Sequence, residues 1–164
     1  MWYRQLGIGV FLFSSFIVDC MQQESLPVLE YSHDFFHAAS EDRIDLLRKS
    51  LASGADVNAT GLGFMTALHY AAMYRAVEAV KFLIGQGAAV DSIDDDGQTP
   101  LHLAVSAPRD WFYRPCHRSG NDREMVAQIV ASLCDAGAKV DCLDCDGVSP
   151  LAYAERFWYS GVTL

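Results

Sequence analysis

Residues 87–102 read GAAVDSIDDDGQTPLH, and this stretch decides the fold. Both of its ends recur in phase elsewhere in the chain. Gly87-Ala88-Ala89-Val90-Asp91 is preceded 33 residues earlier by Gly54-Ala55-Asp56-Val57-Asn58. It is followed 50 residues later by Gly137-Ala138-Lys139-Val140-Asp141. Thr99-Pro100-Leu101-His102 has the same neighbours, Thr66-Ala67-Leu68-His69 at minus 33 and Ser149-Pro150-Leu151-Ala152 at plus 50. Two independent strings sharing one period, with one insertion of 17 residues, define an internal repeat.

The chemistry of each string specifies local structure. Thr99 stands where an N-cap is wanted, its oxygen able to accept from unsatisfied backbone donors. Pro100 then occupies the first helical position, where its missing N–H costs nothing. Leu101, Ala104 and Val105 are spaced to point inward from a short helix. A second helix is expected over Val77-Glu78-Ala79-Val80-Lys81-Phe82-Leu83-Ile84, whose apolar positions recur at three and four. Gly87 ends it as a left-handed cap. Val90 to Thr99 forms an extended finger with Asp96-Gly97 as its tight turn.

With its TPLH head, GA-x-V tail and 33-residue period, the chain resembles the ankyrin-repeat family from about Asp34 to Trp158. The resemblance implies an all-α solenoid of helix-turn-helix repeats joined by β-hairpin fingers, about 3.5 repeats in all. Residues 33–60 form the first repeat, 61–93 the second, 94–143 the third with an insertion near 107–123, and 144–164 a partial fourth. The first repeat has His33-Asp34-Phe35-Phe36 in place of TPLH, and Asp34 is expected to cap its helix. The second opens with Gly61-Leu62-Gly63-Phe64-Met65 rather than Asp-x-x-Gly, which leaves the shape of the first finger open. Phe35 and Phe36 at one end, and Phe157, Trp158 and Tyr159 at the other, are expected to close the stack.

By resemblance, finger tips and inner-helix faces make a concave surface for a protein partner. The positions implied are Leu62, Phe64, Met65, Tyr70, Met73, Tyr74, Asp94, Asp95, Gln98, Leu103, Ser106, Asp144, Asp146, Val148 and Tyr153. The insertion adds a second candidate surface. Trp111-Phe112-Tyr113 sit there among Arg109, Arg114 and Arg118, and Trp, Tyr and Arg carry most binding energy at interfaces. The alternative for these aromatics is a local mini-core over the helices.

The net charge of −9 over 164 residues disfavours nucleic acid and favours a basic or neutral partner. Leu6 to Val18 is uncharged and follows the single cation Arg4, as in a signal peptide. Residues 1–20 are therefore expected to be a signal peptide or anchor, and 21–32 a linker. Secretion or periplasmic export follows if that holds, and a cytoplasmic location if it does not. A membrane is expected to be touched only through this segment, if it stays uncleaved.

Cys142 and Cys145 have CxxC spacing and with Cys116 and His117 could supply four zinc ligands. A metal- or redox-responsive protein is the alternative function on that account. By register, however, the pair lies on a finger and reads as ordinary substitution. Cys134 reads as a small core residue. Asp94-Asp95-Asp96-Gly97 and Asp144-Cys145-Asp146-Gly147 fail as calcium loops, because the twelfth positions are Leu103 and Tyr153. Asn58-Ala59-Thr60 is a glycosylation sequon, but Asn58 is also the residue the repeat uses there. There is no nucleophile elbow, phosphate loop or HExxH. The sequence thus points to a non-enzymatic protein-binding module with no cofactor and no metal.

Overall fold

Thr66 and Thr99 each open a short helix from an extended backbone, with φ/ψ of −84°/168° and −90°/165°. A computed structural model describes residues 27–106 and 122–158, with side chains over 34–106 and 122–156. Seven α-helices lie among the described residues: α1 Pro27–Ser40, α2 Ile44–Ala52, α3 Ala67–Met73, α4 Val77–Gly85, α5 Pro100–Val105, α6 Asp122–Asp135 and α7 Pro150–Trp158. The contacts divide the chain into Met1–Glu30 and Tyr31–Leu164, and the core belongs to the second unit. Within it α3 packs on α5 and α5 on α7, while α2 packs on α4 and α4 on α6. The described helices of this unit thus form an inner row, α3, α5 and α7, and an outer row, α2, α4 and α6, as expected for the solenoid.

The outer helices stop by one device. After α4, Gly87 takes φ +87°, its N–H donates to Ile84 O at 3.0 Å, and the Ala88 N–H reaches Leu83 O at 3.0 Å. The same glycine and bond pattern ends α2 at Gly54 and α6 at Gly137. A left-handed residue lets the chain turn back while the last carbonyls keep donors. The start of α4 is capped from the preceding repeat: Asp42 Oδ1 accepts the Ala79 N–H at 2.6 Å.

The core is built of small and large apolar residues in register. Leu68, Ala71 and Ala72 are fully buried, and Leu101 and Ala104 repeat the pattern one unit on. Alanine lets inner helices approach closely, and each buried leucine contributes about 2 kcal/mol through removal from water. Leu47, Val80, Leu83, Ile129 and Leu133 fill the space between the rows.

Several expectations are corrected. The 21–32 stretch is helical from Pro27 onward, because proline fits a first helical position and nothing from Val28 to Ser40 breaks the helix. Asp34 consequently lies inside α1 and caps nothing there. The fingers are turns rather than β-hairpins: the described residues contain no strand, only an isolated bridge between Thr60 and Thr66. α6 starts at Asp122, whereas an offset of 50 from Val77 would start it at Ala127, so the end of the insertion is helical. Residues 1–20 and 21–26, most of the insertion and the Phe157, Trp158 and Tyr159 side chains lie outside the described residues.

Candidate interaction surface

Each finger closes with one backbone bond across its base. Asp94 N–H donates to Gln98 O at 3.0 Å and Asp144 N–H to Val148 O at 3.1 Å. In the first finger Gly61 N–H donates to Met65 O at 2.8 Å. The second and third fingers share an aspartate turn. Asp94 Oδ1 accepts from the N–H groups of Asp96 and Gln98 at 3.0 and 2.7 Å, and Asp144 Oδ1 from those of Asp146 and Val148 at 3.0 and 2.8 Å. The fingers then join tip to tip: Asp95 N–H donates to Gly63 O at 3.0 Å and Cys145 N–H to Asp96 O at 3.0 Å.

Histidines tie each inner helix to the next finger. His69 Nδ1 accepts the Thr66 N–H at 3.0 Å, which leaves the proton on Nε2 for Gln98 O at 3.1 Å. His102 repeats this with Thr99 at 3.0 Å and Val148 O at 3.2 Å. Burial lowers the His69 pKa; the Gln98 carbonyl and the Asp94 charge oppose that shift without cancelling it.

Four of the expected contact residues are consumed by this framework. Asp94, Gln98, Leu103 and Asp144 are buried. Asp94 and Asp144 spend an oxygen on their own turns, and Gln98 Nε2 donates to Tyr153 OH at 3.0 Å. Tyr153 OH in turn donates to Asp144 Oδ2 at 2.8 Å. Burial pushes the Asp144 carboxyl up, but hydrogen bonds from Val148, Tyr153, Asp146 and Gln98 outweigh it and hold the pKa below the usual range.

What stays accessible is narrower. Leu62, Phe64, Asp95 and Asp146 are exposed at the tips. Tyr70 and Met73 on α3, and Tyr74 at its C-cap, are half-buried and lie three and four residues apart on one side. Met65, Ser106, Val148 and Tyr153 are also half-buried. Trp111, Phe112, Tyr113 and Arg114 lie outside the described residues, as do Cys116 and His117. Cys134 is exposed rather than in the core, since it follows buried Leu133 and is turned about 100° around the helix from it. Cys142 is half-buried and Cys145 exposed, and both are free thiols on the third finger. Asn58 Oδ1 accepts the Ala89 N–H of the next repeat at 2.8 Å, and Asp91 does the same for Lys139 at 2.9 Å.

Sequence reasoning missed two features of the first finger. Its tip is a short 3₁₀ turn, Leu62–Phe64, in which Gly63 and Phe64 take φ of +68° and +55°. Its base has Gly61 where the other fingers have aspartate, because the Phe36 ring fills that space. A Cβ at Gly61 would lie 2.8 Å from Phe36 Cε2. The 33-residue offset pairs Phe36 with His69 and Gly61 with Asp94, so the register itself held the signal.

The architecture defines a helical repeat protein with stacked turns. A family model described as Ankyrin repeats (3 copies) matches residues 35–112, and a second, Ankyrin repeat, matches 96–145. The chain belongs to the ankyrin-repeat family. It is 40% identical over 68 residues to the Transient receptor potential cation channel subfamily A member 1 homolog of Caenorhabditis elegans, covering 41% of this chain and 6% of that protein. It is 33% identical over 86 residues to Palmitoyltransferase ZDHHC13 of Homo sapiens, covering 51% of this chain and 14% of that one. It is 45% identical over 58 residues to the Neurogenic locus Notch protein of Drosophila melanogaster, covering 35% and 2%. The chain thus spans 2–14% of the length of these relatives. Ankyrin repeats are in general protein–protein interaction modules and are typically non-catalytic.

Proposed function

We propose that the chain is a non-enzymatic binding module that holds a protein partner against the finger tips and the open face of α3. The observation that carries this reading is the set of half-buried aromatic and apolar side chains Tyr70 and Met73 on α3 and Tyr74 at its C-cap. Hydrogen bonds from one repeat to the next hold that face and the tips in place, so binding orders little. Asp95 and Asp146 add exposed negative charge at the tips and steer a basic partner. The insertion residues Trp111, Phe112, Tyr113 and Arg114 are a second contact surface in this proposal. The transferase activity in the name of the human relative belongs to that whole protein and is not carried over.

The test is retention of partner proteins from an extract of the source cells. The wild-type chain is compared with Tyr70→Ser/Met73→Ser on the inner face and Glu78→Ala/Lys81→Ala on the outer helix. The inner-face variant is expected to lose what wild type retains, and the outer variant to keep it. For the retained partner, Asp95→Lys/Asp146→Lys is expected to slow association and weaken its salt dependence. Equal retention by all variants would overturn the proposal.

A further inference from the structure

Position 64 is a glycine position in the other two fingers. Counting by the repeat offsets, Phe64 corresponds to Gly97 and Gly147, both at φ +73°. Phe64 adopts the same left-handed half of backbone space, at φ +55°. For a bulky side chain this is a strained conformation, and glycine would relieve it. The strain is not offset by burial, since the Phe64 residue is 66% exposed. Its neighbour Leu62, at 87%, stands where the later fingers have Asp95 and Cys145. Strain retained without an internal gain points to a role outside the chain.

The tip is also held in place. Asp95 N–H donates to Gly63 O at 3.0 Å, and a Cβ at Gly63 would lie 3.1 Å from Asp95 Oδ1. The second finger therefore sits against the middle of the first turn, with the Asp95 carboxylate beside Gly63, the residue between exposed Leu62 and Phe64. Two exposed apolar residues with an acid beside the glycine that separates them complement a segment that carries both apolar and basic groups.

We infer that Leu62 and Phe64 form a preset apolar knob that docks a basic peptide segment of the partner, its aliphatic or aromatic side chains covering the knob and a Lys or Arg pairing with Asp95. This rests on the proposed binding function and names the chemistry of its partner.

The experiment selects binders to the full chain from a displayed library of random peptides. The selected peptides are then measured against Phe64→Gly, Leu62→Ser, Asp95→Asn and Tyr70→Ser. Phe64→Gly suits the positive φ and removes the exposed benzyl side chain, so its melting temperature is expected to hold or rise. Enriched peptides are expected to combine Lys or Arg with apolar residues. Their affinity should fall roughly tenfold or more on Phe64→Gly and Leu62→Ser, and less on Asp95→Asn. Peptides that are acidic, or that bind Phe64→Gly as well as wild type, would overturn the knob. If those peptides still lose affinity on Tyr70→Ser, the proposed binding face stands without it. Enrichment of no peptide, or binding indifferent to every variant, counts against both.

Discussion

Phe36 stands where the second and third repeats carry His69 and His102, and Gly61 opens the first finger where Asp94 and Asp144 open the next two. The two substitutions belong together. A phenyl ring cannot donate to the next finger, but it is larger and apolar, and it packs 5.3 Å from the Tyr70 ring. The space it takes excludes a side chain at 61. Gly61→Asp alone is expected to cost about 1–3 kcal/mol by overpacking against the ring. Phe36→His alone removes the packing and leaves an imidazole without its aspartate turn. Together they restore a ring nitrogen for the next finger and the aspartate at its base, though not the threonine cap, so the double variant should recover about 1 kcal/mol relative to the sum of the singles. Denaturant unfolding of the four proteins in a double-mutant cycle measures this. Strict additivity would mean that the two sites are independent.

The helix-and-finger element turns on the neutral form of one imidazole. Burial disfavours the charged ring of His69, and its Nδ1 must stay free of a proton to accept the Thr66 N–H. Its folded pKa therefore lies below the unfolded value of 6.5. At pH values between the two, the unfolded chain binds a proton that the folded one does not. The resulting stability is complete above 6.5 and is lost as pH falls from there through the folded pKa. Thermal melts from pH 7.5 to 5 should show this loss in wild type. His69→Gln, weaker by about 1–3 kcal/mol through its broken bonds, should show a flatter profile. Identical slopes would overturn the account. The same element shows what the sequence could tell. Thr99, Pro100 and Gly87 act on backbone within a few residues of themselves, so cap, first turn and stop were legible residue by residue. Asp94, Gln98, Leu103 and Asp144 stand in a surface register and are nonetheless buried. Gln98 is tied to Tyr153 of the next repeat, a contact that no local pattern encodes. The start of α1 was hidden for a related reason: a polar stretch with one proline fits a linker and a helix equally well.

At the scale of the molecule, stability is set by neighbours, since each repeat buries its apolar face only against the next. The leucine at one register position reports this directly. Leu68 is 0% exposed, Leu101 2% and Leu151 64%. The first two lie on inner helices that pack against a following inner helix, α5 for Leu68 and α7 for Leu101. Among the described residues α7 has none after it. The histidine series stops at the same place, with His69 bonded to Gln98 O, His102 to Val148 O, and Ala152 in the third register. Leu101→Ala should therefore cost about 2–5 kcal/mol through lost burial and the cavity left behind. Leu151→Ala, though the same chemical change at the same register, should cost less than about 1 kcal/mol. Hydrogen exchange should follow the same gradient, with the amides of α7 opening before those of α3 and α5. Melting temperatures of the two variants decide the matter. If Leu151→Ala proves as damaging as Leu101→Ala, a further layer covers α7 in solution, and the stack extends beyond its last described helix.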